Sequence, residues 1–333
     1  MKKRRFSVIL LTVISLFIII GALAYWYAQS ENRGERVAGG RVLRFDADPE
    51  NGFYWPYYLY VPDTANERIK EGEPVYLLVF PNNTGEPSDD LSIHDNAARE
   101  KIDQVQDIPD KLGTPLLIPV FPRPWEVYLE TDLYVHALDR RILESQAPGL
   151  ERVDLQLLSM MDDATARLSA QGIPVKEKAL IMGFSASGMF ANRFTLLHPE
   201  RVLASSIGSP GGWPMAPVEE WQGTVLEYPL GTHGIEQLTG RPFDFQAFRS
   251  VRQFFFIGDQ DDDDAVDQES FPFMAEMFGS TPLERWPYAE QLYRSAGADA
   301  RFITVSGMGH GIDTQTWRAQ IDFFRDAIAA DSK

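Results

Sequence analysis

Lys178-Ala179-Leu180-Ile181-Met182-Gly183-Phe184-Ser185-Ala186-Ser187-Gly188 runs from an apolar segment straight into small residues that open a helical pattern. The apolar run of Leu180, Ile181 and Met182 suits a strand covered on both faces, and the helical spacing from Ser187 to His198 stops at Pro199. A strand that turns directly into a helix makes a nucleophile elbow, in which the residues two before and two after the central serine must be small. Gly183 and Ser187 meet that condition around Ser185. Centring the turn on Ser187 instead places Met189 where its side chain crowds the turn. The usual G-x-S-x-G pattern has Gly where this chain has Ser187. An ordinary strand-to-helix turn with an N-capping serine is the competing interpretation of the same residues.

Outward from this stretch, strands and helices alternate. Arg41 to Phe45, Tyr57 to Val61, Val75 to Phe80 and Pro115 to Phe121 are short β-branched or aromatic runs closed by Pro, Asp or Asn, which predicts strands. Val153, Leu157, Leu158, Met161 and Leu168 recur at helical spacing. Val202 to Ile207, Val251 to Ile257 and Arg301 to Val305 predict further strands, and Trp317 to Ala330 a closing helix. The pattern predicts an α/β fold: a mostly parallel central sheet with helices on both faces and an antiparallel start. Residues 211–250, rich in Pro, Gly and aromatics, are too long for a plain connection and are expected to form a cap-like insertion over the ligand-binding edge. Trp213, Trp221, Tyr228, Phe243 and Phe245 in it are expected mainly to pack it onto the core.

Two further stretches carry chemistry. Gln253-Phe254-Phe255-Phe256-Ile257-Gly258-Asp259-Gln260-Asp261-Asp262-Asp263-Asp264 is an apolar strand that ends in a carboxylate-rich loop. Ile303-Thr304-Val305-Ser306-Gly307-Met308-Gly309-His310-Gly311 is a strand followed by a glycine-flanked histidine, a setting that lets an imidazole reach across the sheet edge. Ser185, Asp261 and His310 follow one another at intervals of 76 and 49 residues. That is the Ser, Asp, His order of the α/β-hydrolase layout.

On GFSASG, GDQDDDD and GMGHG the chain resembles α/β-hydrolase-fold serine hydrolases, in particular secreted bacterial esterases of the polyhydroxyalkanoate-depolymerase and feruloyl-esterase type. The resemblance covers about residues 40–330. It implies a catalytic domain over 38–331 that cleaves carboxylic esters through a Ser185, His310, Asp261 triad and an acyl-enzyme. In that group the acid loop often reads G-x-x-D-x-N-D-x-V, which puts Asp261 at the first acid, Asp263 where Asn is usual and Asp264 at the second. Asp264 is therefore the alternative acid.

An oxyanion hole needs two N–H groups aimed at the developing alkoxide. Ala186 supplies one by position, and Asn82 and Asn83, after the third apolar run, are the candidates for the other. Among the remaining histidines, His136 and His233 are candidate substrate contacts, while His94 and His198 are expected to be structural. No metal-ligand motif, GxGxxG or P-loop occurs, so no cofactor is implied.

Composition bounds the rest. The 333 residues include 48 acidic and 31 basic side chains, for a net charge of −17, and no cysteine. The charge disfavours nucleic acid, whose binding needs clustered cations, and the missing thiols exclude disulfides, thiolate metal sites and cysteine nucleophiles. Lys2, Lys3, Arg4 and Arg5 precede a 22-residue uncharged run from Phe6 to Tyr27, about 33 Å long as a helix. Residues 1–30 are thus expected to be a signal anchor that holds the catalytic domain outside the cytoplasm, with the membrane contacted through this segment only. A signal peptide cleaved near Ala24, in Ala22-Leu23-Ala24, followed by secretion, is the alternative. The expected partner is a small-molecule or polymeric ester. A peptidase or amidase on the same triad and a catalytically inactive cell-surface binding domain are the rival functions. Oligomeric state leaves no mark in the sequence.

Overall fold

The computed structural model describes residues 34–82, 86–127, 133–266 and 270–332. The N-terminal apolar segment and Asn83 therefore lie outside the described residues. Among the described residues no helix is long and apolar enough to cross a membrane.

Eleven strands are described: β1 (Glu35–Val37), β2 (Gly40–Phe45), β3 (Tyr57–Pro62), β4 (Leu78–Val79), β5 (Leu116–Pro119), β6 (Ala179–Phe184), β7 (Val202–Gly208), β8 (Glu220–Trp221), β9 (Thr224–Val225), β10 (Arg252–Gly258) and β11 (Ala300–Val305). Nine of them form one sheet in the order β1-β2-β3-β5-β4-β6-β7-β10-β11, and β8 and β9 pair separately. Pairing is antiparallel from β1 through β3 to β5 and parallel from β5 to β11. Among the described residues five helices exceed eight residues: α1 (Leu91–Val105), α2 (Val153–Ala170), α3 (Ala186–Leu197), α4 (Pro282–Ser295) and α5 (Thr314–Asp331).

The middle strands are mainly apolar because both of their faces are covered, with Ser205 and Ser206 of β7 and Gln253 of β10 as buried polar breaks. Ala179 and Ile181 of β6 point into a core shared with α2, α3 and α4, whereas Leu180 and Met182 point into a second core shared with α1 and α5. Every residue of α3 is buried, and Phe190 and Phe194 alone each contribute roughly 2 kcal/mol of apolar burial.

Strand order decides where the site must lie. β4 pairs with β5 on one side and β6 on the other, so the chain leaves β4 in one direction and β6 in the opposite one. Helices covering these connections diverge there and leave a crevice at the carboxyl ends of the two strands. Asn82 follows β4 and Ser185 follows β6 at that crevice.

The elbow between β6 and α3 is sterically closed. A Cβ on Gly183 would stand 2.1 Å from the Ser187 carbonyl oxygen. Ser187, where glycine is usual, is more than a small residue: its hydroxyl donates to the Phe184 carbonyl at 2.8 Å and accepts from the Phe184 N–H at 3.0 Å. These two bonds pin the turn from inside.

Residues 211–250 form an insertion built from the β8–β9 hairpin and the short helices Ile235–Thr239 and Phe245–Arg249. Trp213 and Tyr228 are buried; the Trp213 indole donates to Leu230 O at 2.9 Å and the Tyr228 hydroxyl donates to Leu138 O. Phe245 is exposed.

Gly183→Ala should cost at least about 3 kcal/mol, since the added methyl meets rigid backbone. Gly172→Ala, at φ +81° with nothing within 4 Å, should cost about 1 kcal/mol from conformation alone. Urea unfolding of both variants checks the ranking.

Candidate active site

Ser185 sits at φ 57°, ψ −125°, between β6 and α3. Positive φ is rare for a residue with a Cβ and costs about 1–3 kcal/mol. Its backbone is held at both ends, by donation of its N–H to Gly208 O at 2.9 Å and acceptance from Met189 N at 2.9 Å. Its side chain makes no capping bond to the helix. This separates it from an N-capping serine, which has extended backbone and bonds the helix through its oxygen. The hydroxyl is half-buried at the positive end of α3. Ala186, the first residue of that helix, is buried, and its N–H belongs to those that a helix leaves without an internal partner.

Asp261 and His310 meet. His310 Nδ1 lies 3.0 Å from Asp261 Oδ1 and 3.2 Å from Oδ2. The carboxylate is 1% exposed and the imidazole 29%, so the pair has a buried end and an end open to solvent. Asp261 also accepts from Ser209 Oγ at 2.6 Å and from the Asp263 N–H at 3.1 Å. With Nδ1–H donated to Asp261, the neutral ring presents Nε2 as its acceptor. The imidazole packs against Phe184, the residue before Ser185, with ring centroids 4.8 Å apart, and Phe184 stacks on Phe256. The elbow thus carries the serine and the seat of the histidine on adjacent residues.

Both loops are laced together by backbone. Gln260 N donates to Met308 O at 2.9 Å, and the Asp259 carboxylate accepts from Gly307 N at 2.7 Å. A Cβ on Gly258 would lie 2.0 Å from Met308 O, so the glycine is what allows the two loops to touch. The glycines that flank His310 have no such role: a Cβ on Gly309 would meet only Gln260 O at 3.8 Å, and one on Gly311 would meet nothing within 4 Å.

Asp264 is placed elsewhere. Its carboxylate pairs with Arg285, which is fully buried in α4, and accepts from the Val266 N–H at 3.1 Å. The acids of the Asp-rich loop therefore diverge toward different partners.

Asn82 is fully buried at the crevice, with neither Nδ2 nor Oδ1 hydrogen bonded. His136 is fully buried as well, and neither ring nitrogen has a partner. Burial, with Arg123 and His94 adding to it, pushes its pKa down to about 3, so it is a neutral donor and acceptor at ordinary pH. The Arg123 guanidinium lies over the Tyr134 ring at 4.6 Å, and Tyr134 in turn contacts His136. His233 is not gathered with these residues. It lines a cavity of about 680 Å³ within the insertion, with Glu219, Glu220, Phe243 and Phe245, and lies 3.7 Å from Glu227.

His94 and His198 are structural. His94 Nε2 lies 2.8 Å from Ser88 O. His198 is buried between Asp154 at 2.9 Å and Arg241 at 3.2 Å, and Arg152 also pairs with Asp154. Burial alone would raise the Asp154 pKa, but the bonds from His198 and Arg152 outweigh it and bring it to about 2.

Ser209 and Phe184 escaped the sequence reading. Ser209-Pro210-Gly211-Gly212 has the composition of a plain turn, and the only hint of a function is its position at the end of a strand beside the acid strand. Phe184 occupies the unrestricted place in G-x-S-x-S.

No family model and no curated protein matches the chain. Solved structures do. Poly(aspartic acid) hydrolase-1 from Sphingomonas sp. KT-1 is similar with a TM-score of 0.53 and 16% identity, over 86% of this chain and 97% of that one. LpqC, a poly(3-hydroxybutyrate) depolymerase from Bordetella parapertussis, gives 0.55 and 17% over 87% and 90%. An S-formylglutathione hydrolase from Agrobacterium tumefaciens gives 0.50 and 13% over 89% and 97%. Together with the strand order and the elbow, this likeness gives the protein the α/β-hydrolase fold.

Two predictions follow from the acids. Under the hydrolase mechanism proposed below, Asp261→Asn should lower ester turnover roughly 10³–10⁴-fold by leaving His310 in the wrong tautomer. Asp264→Asn should instead lower stability by about 3 kcal/mol, because it strands the buried Arg285 charge; turnover and urea unfolding of both variants separate the roles. Asp154 gives a third. The folded state holds its pKa at about 2, below the ordinary aspartate value of 3.8, so its stabilisation is complete above that ordinary value and is lost as pH falls toward 2. The stability gap between wild type and Asp154→Asn should therefore narrow by about 1 kcal/mol between about pH 6 and about pH 3.

Proposed function

We propose that the protein is a serine hydrolase that cleaves carboxylic esters through an acyl-enzyme. The observation that carries this reading is a strained serine at the elbow, its hydroxyl uncommitted to the helix, next to the Phe184 ring on which rests a histidine oriented by a buried carboxylate. Such strain persists at functional sites because the surroundings over-determine it.

In this mechanism Ser185 Oγ attacks the ester carbonyl and His310 Nε2 takes its proton. Asp261 keeps Nδ1 protonated and stabilises the imidazolium that forms. The Ala186 N–H, at the start of α3, receives the developing oxyanion, and Asn82 is the nearest described candidate for a second donor. The imidazolium then protonates the departing alcohol. Water, activated by the same nitrogen, releases the acid and restores the serine. His136, neutral and with neither ring nitrogen hydrogen bonded among the described residues, is offered as a contact for a polar group of the acyl portion.

Ester cleavage agrees with the names of two similar proteins, a poly(3-hydroxybutyrate) depolymerase, named for a polyester, and an S-formylglutathione hydrolase, named for a thioester. We further propose an extracytoplasmic location, supported by the cationic residues 2–5 and the apolar run that follows them.

A fluorophosphonate bearing a charged, membrane-impermeant tag should label intact cells at Ser185, and Ser185→Ala should abolish both labelling and turnover of p-nitrophenyl acetate. Labelling that persists in the variant refutes the nucleophile. Labelling only after lysis refutes the location. A peptide amide turned over faster than the ester places the enzyme among amidases.

A further inference from the structure

One carboxylate at the site is not a member of the proposed triad. Asp263 follows the triad acid by two residues, and its N–H donates to Asp261 Oδ1 at 3.1 Å, so the turn that holds Asp261 also fixes the position of Asp263. Its side chain folds back toward the imidazole. Oδ2 lies 3.5 Å from Nε2 of His310, on the ring edge opposite the nitrogen engaged by Asp261.

Asp263 has no permanent cationic partner among the described residues; the His310 ring is a cation only when protonated. Asp264 is neutralised by Arg285, whereas among the described residues no Lys or Arg pairs with Asp263. Its field also reaches across the site. Burial, opposed by Arg123, pushes the Tyr134 phenol up, and Asp263 adds to that push. Half of the Asp263 side chain is exposed, which screens its charge without removing it.

Nε2 is the nitrogen that returns the proton to the departing alcohol in the mechanism proposed above, on which this inference rests. A leaving group must therefore sit next to Asp263 Oδ2 while the tetrahedral intermediate collapses. The C–O bond breaks, its electron pair stays on the alcohol oxygen, and the proton from Nε2 neutralises it. Any charge carried a few ångströms along the alcohol lies within close Coulombic range of the carboxylate. We infer that Asp263 sets leaving-group selectivity, favouring esters whose alcohol carries a cation, such as a quaternary amine, over those whose alcohol carries a carboxylate.

The test uses three acetate esters whose alcohols are neutral, quaternary-ammonium and carboxylate-bearing, with kcat/KM for each taken relative to the neutral ester. Asp263→Asn should lower the ratio of cationic to anionic ester about tenfold. Asp262→Asn, which removes the same charge from an exposed neighbour, should change it less than about twofold, and Asp263→Glu should retain most of the preference. Equal changes in the two Asn variants would assign the effect to the overall negative field and overturn the inference. So would an unchanged ratio in Asp263→Asn, or loss of turnover of all three esters in that variant, which would make Asp263 a positioning residue. Wild-type protein that turns over none of the esters and resists a neutral fluorophosphonate refutes the hydrolase reading itself, and the inference with it.

Discussion

The hydrogen-bond ladder of the parallel sheet runs one residue past the carboxyl ends of its strands, and the site depends on that overrun. Ser185 N donates to Gly208 O, Ser209 N to Phe256 O and Asp259 N to Val305 O, at 2.8–3.0 Å. Each bond ties the first residue after one strand to one of the last three residues of its neighbour. The serine, the support for the acid, the acid loop and the histidine loop are therefore registered by backbone before any side chain contributes. Backbone bonds in a buried sheet are obligatory, so this registration follows from the strands having formed at all.

Side chains refine what the ladder sets. The conformation of Ser185 costs energy, and the Ser187 clamp, the burial of the whole of α3 and the bond to Gly208 hold it in place. Asp261 receives donors from three directions, which leaves its carboxylate one orientation. Phe184 supplies the ring surface on which the imidazole rests. The geometry is thus shared between a rigid strand end, an aromatic seat and one backbone N–H of the Asp-rich loop.

The sheet was legible in the sequence where burial on both faces produced unbroken apolar runs, as at Leu180 to Met182 of β6 and Phe254 to Ile257 of β10. It was less legible at β4, where an apolar run from Val75 to Phe80 yields only Leu78–Val79 as strand. Pro115 and Pro174 stand beside that run and have no N–H to give, so pairing before Leu78 is reduced to an isolated bridge between Val75 and Val175. Helix α4 was not anticipated, because Pro287 lies inside it and reads as a breaker. At the site, order and spacing pointed to Ser185, Asp261 and His310, since small residues at a turn and carboxylates after a strand are local signals. Which acid meets His310 was not legible. That choice rests on Arg285, 21 residues beyond Asp264, whose pairing only the folded chain displays.

Helix α4 also joins parts of the molecule that are distant in sequence. Arg285 holds the acid loop; Tyr293, two turns further on, accepts from Asn192 of α3 at 2.8 Å and donates to Met215 O of the insertion at 2.9 Å, while Met215 N donates back to Asn192 at 2.8 Å. Ala289 and Leu292 pack against Trp213 and Leu226 between these points. Mechanically, the insertion and the acid loop are mounted on one rod and are also tied to each other directly, by the bond from Ala265 N to Gly211 O at 3.3 Å. A load applied to the insertion therefore reaches the acid loop by two parallel routes, the short one through Gly211 and the long one through α4 and the guanidinium of Arg285.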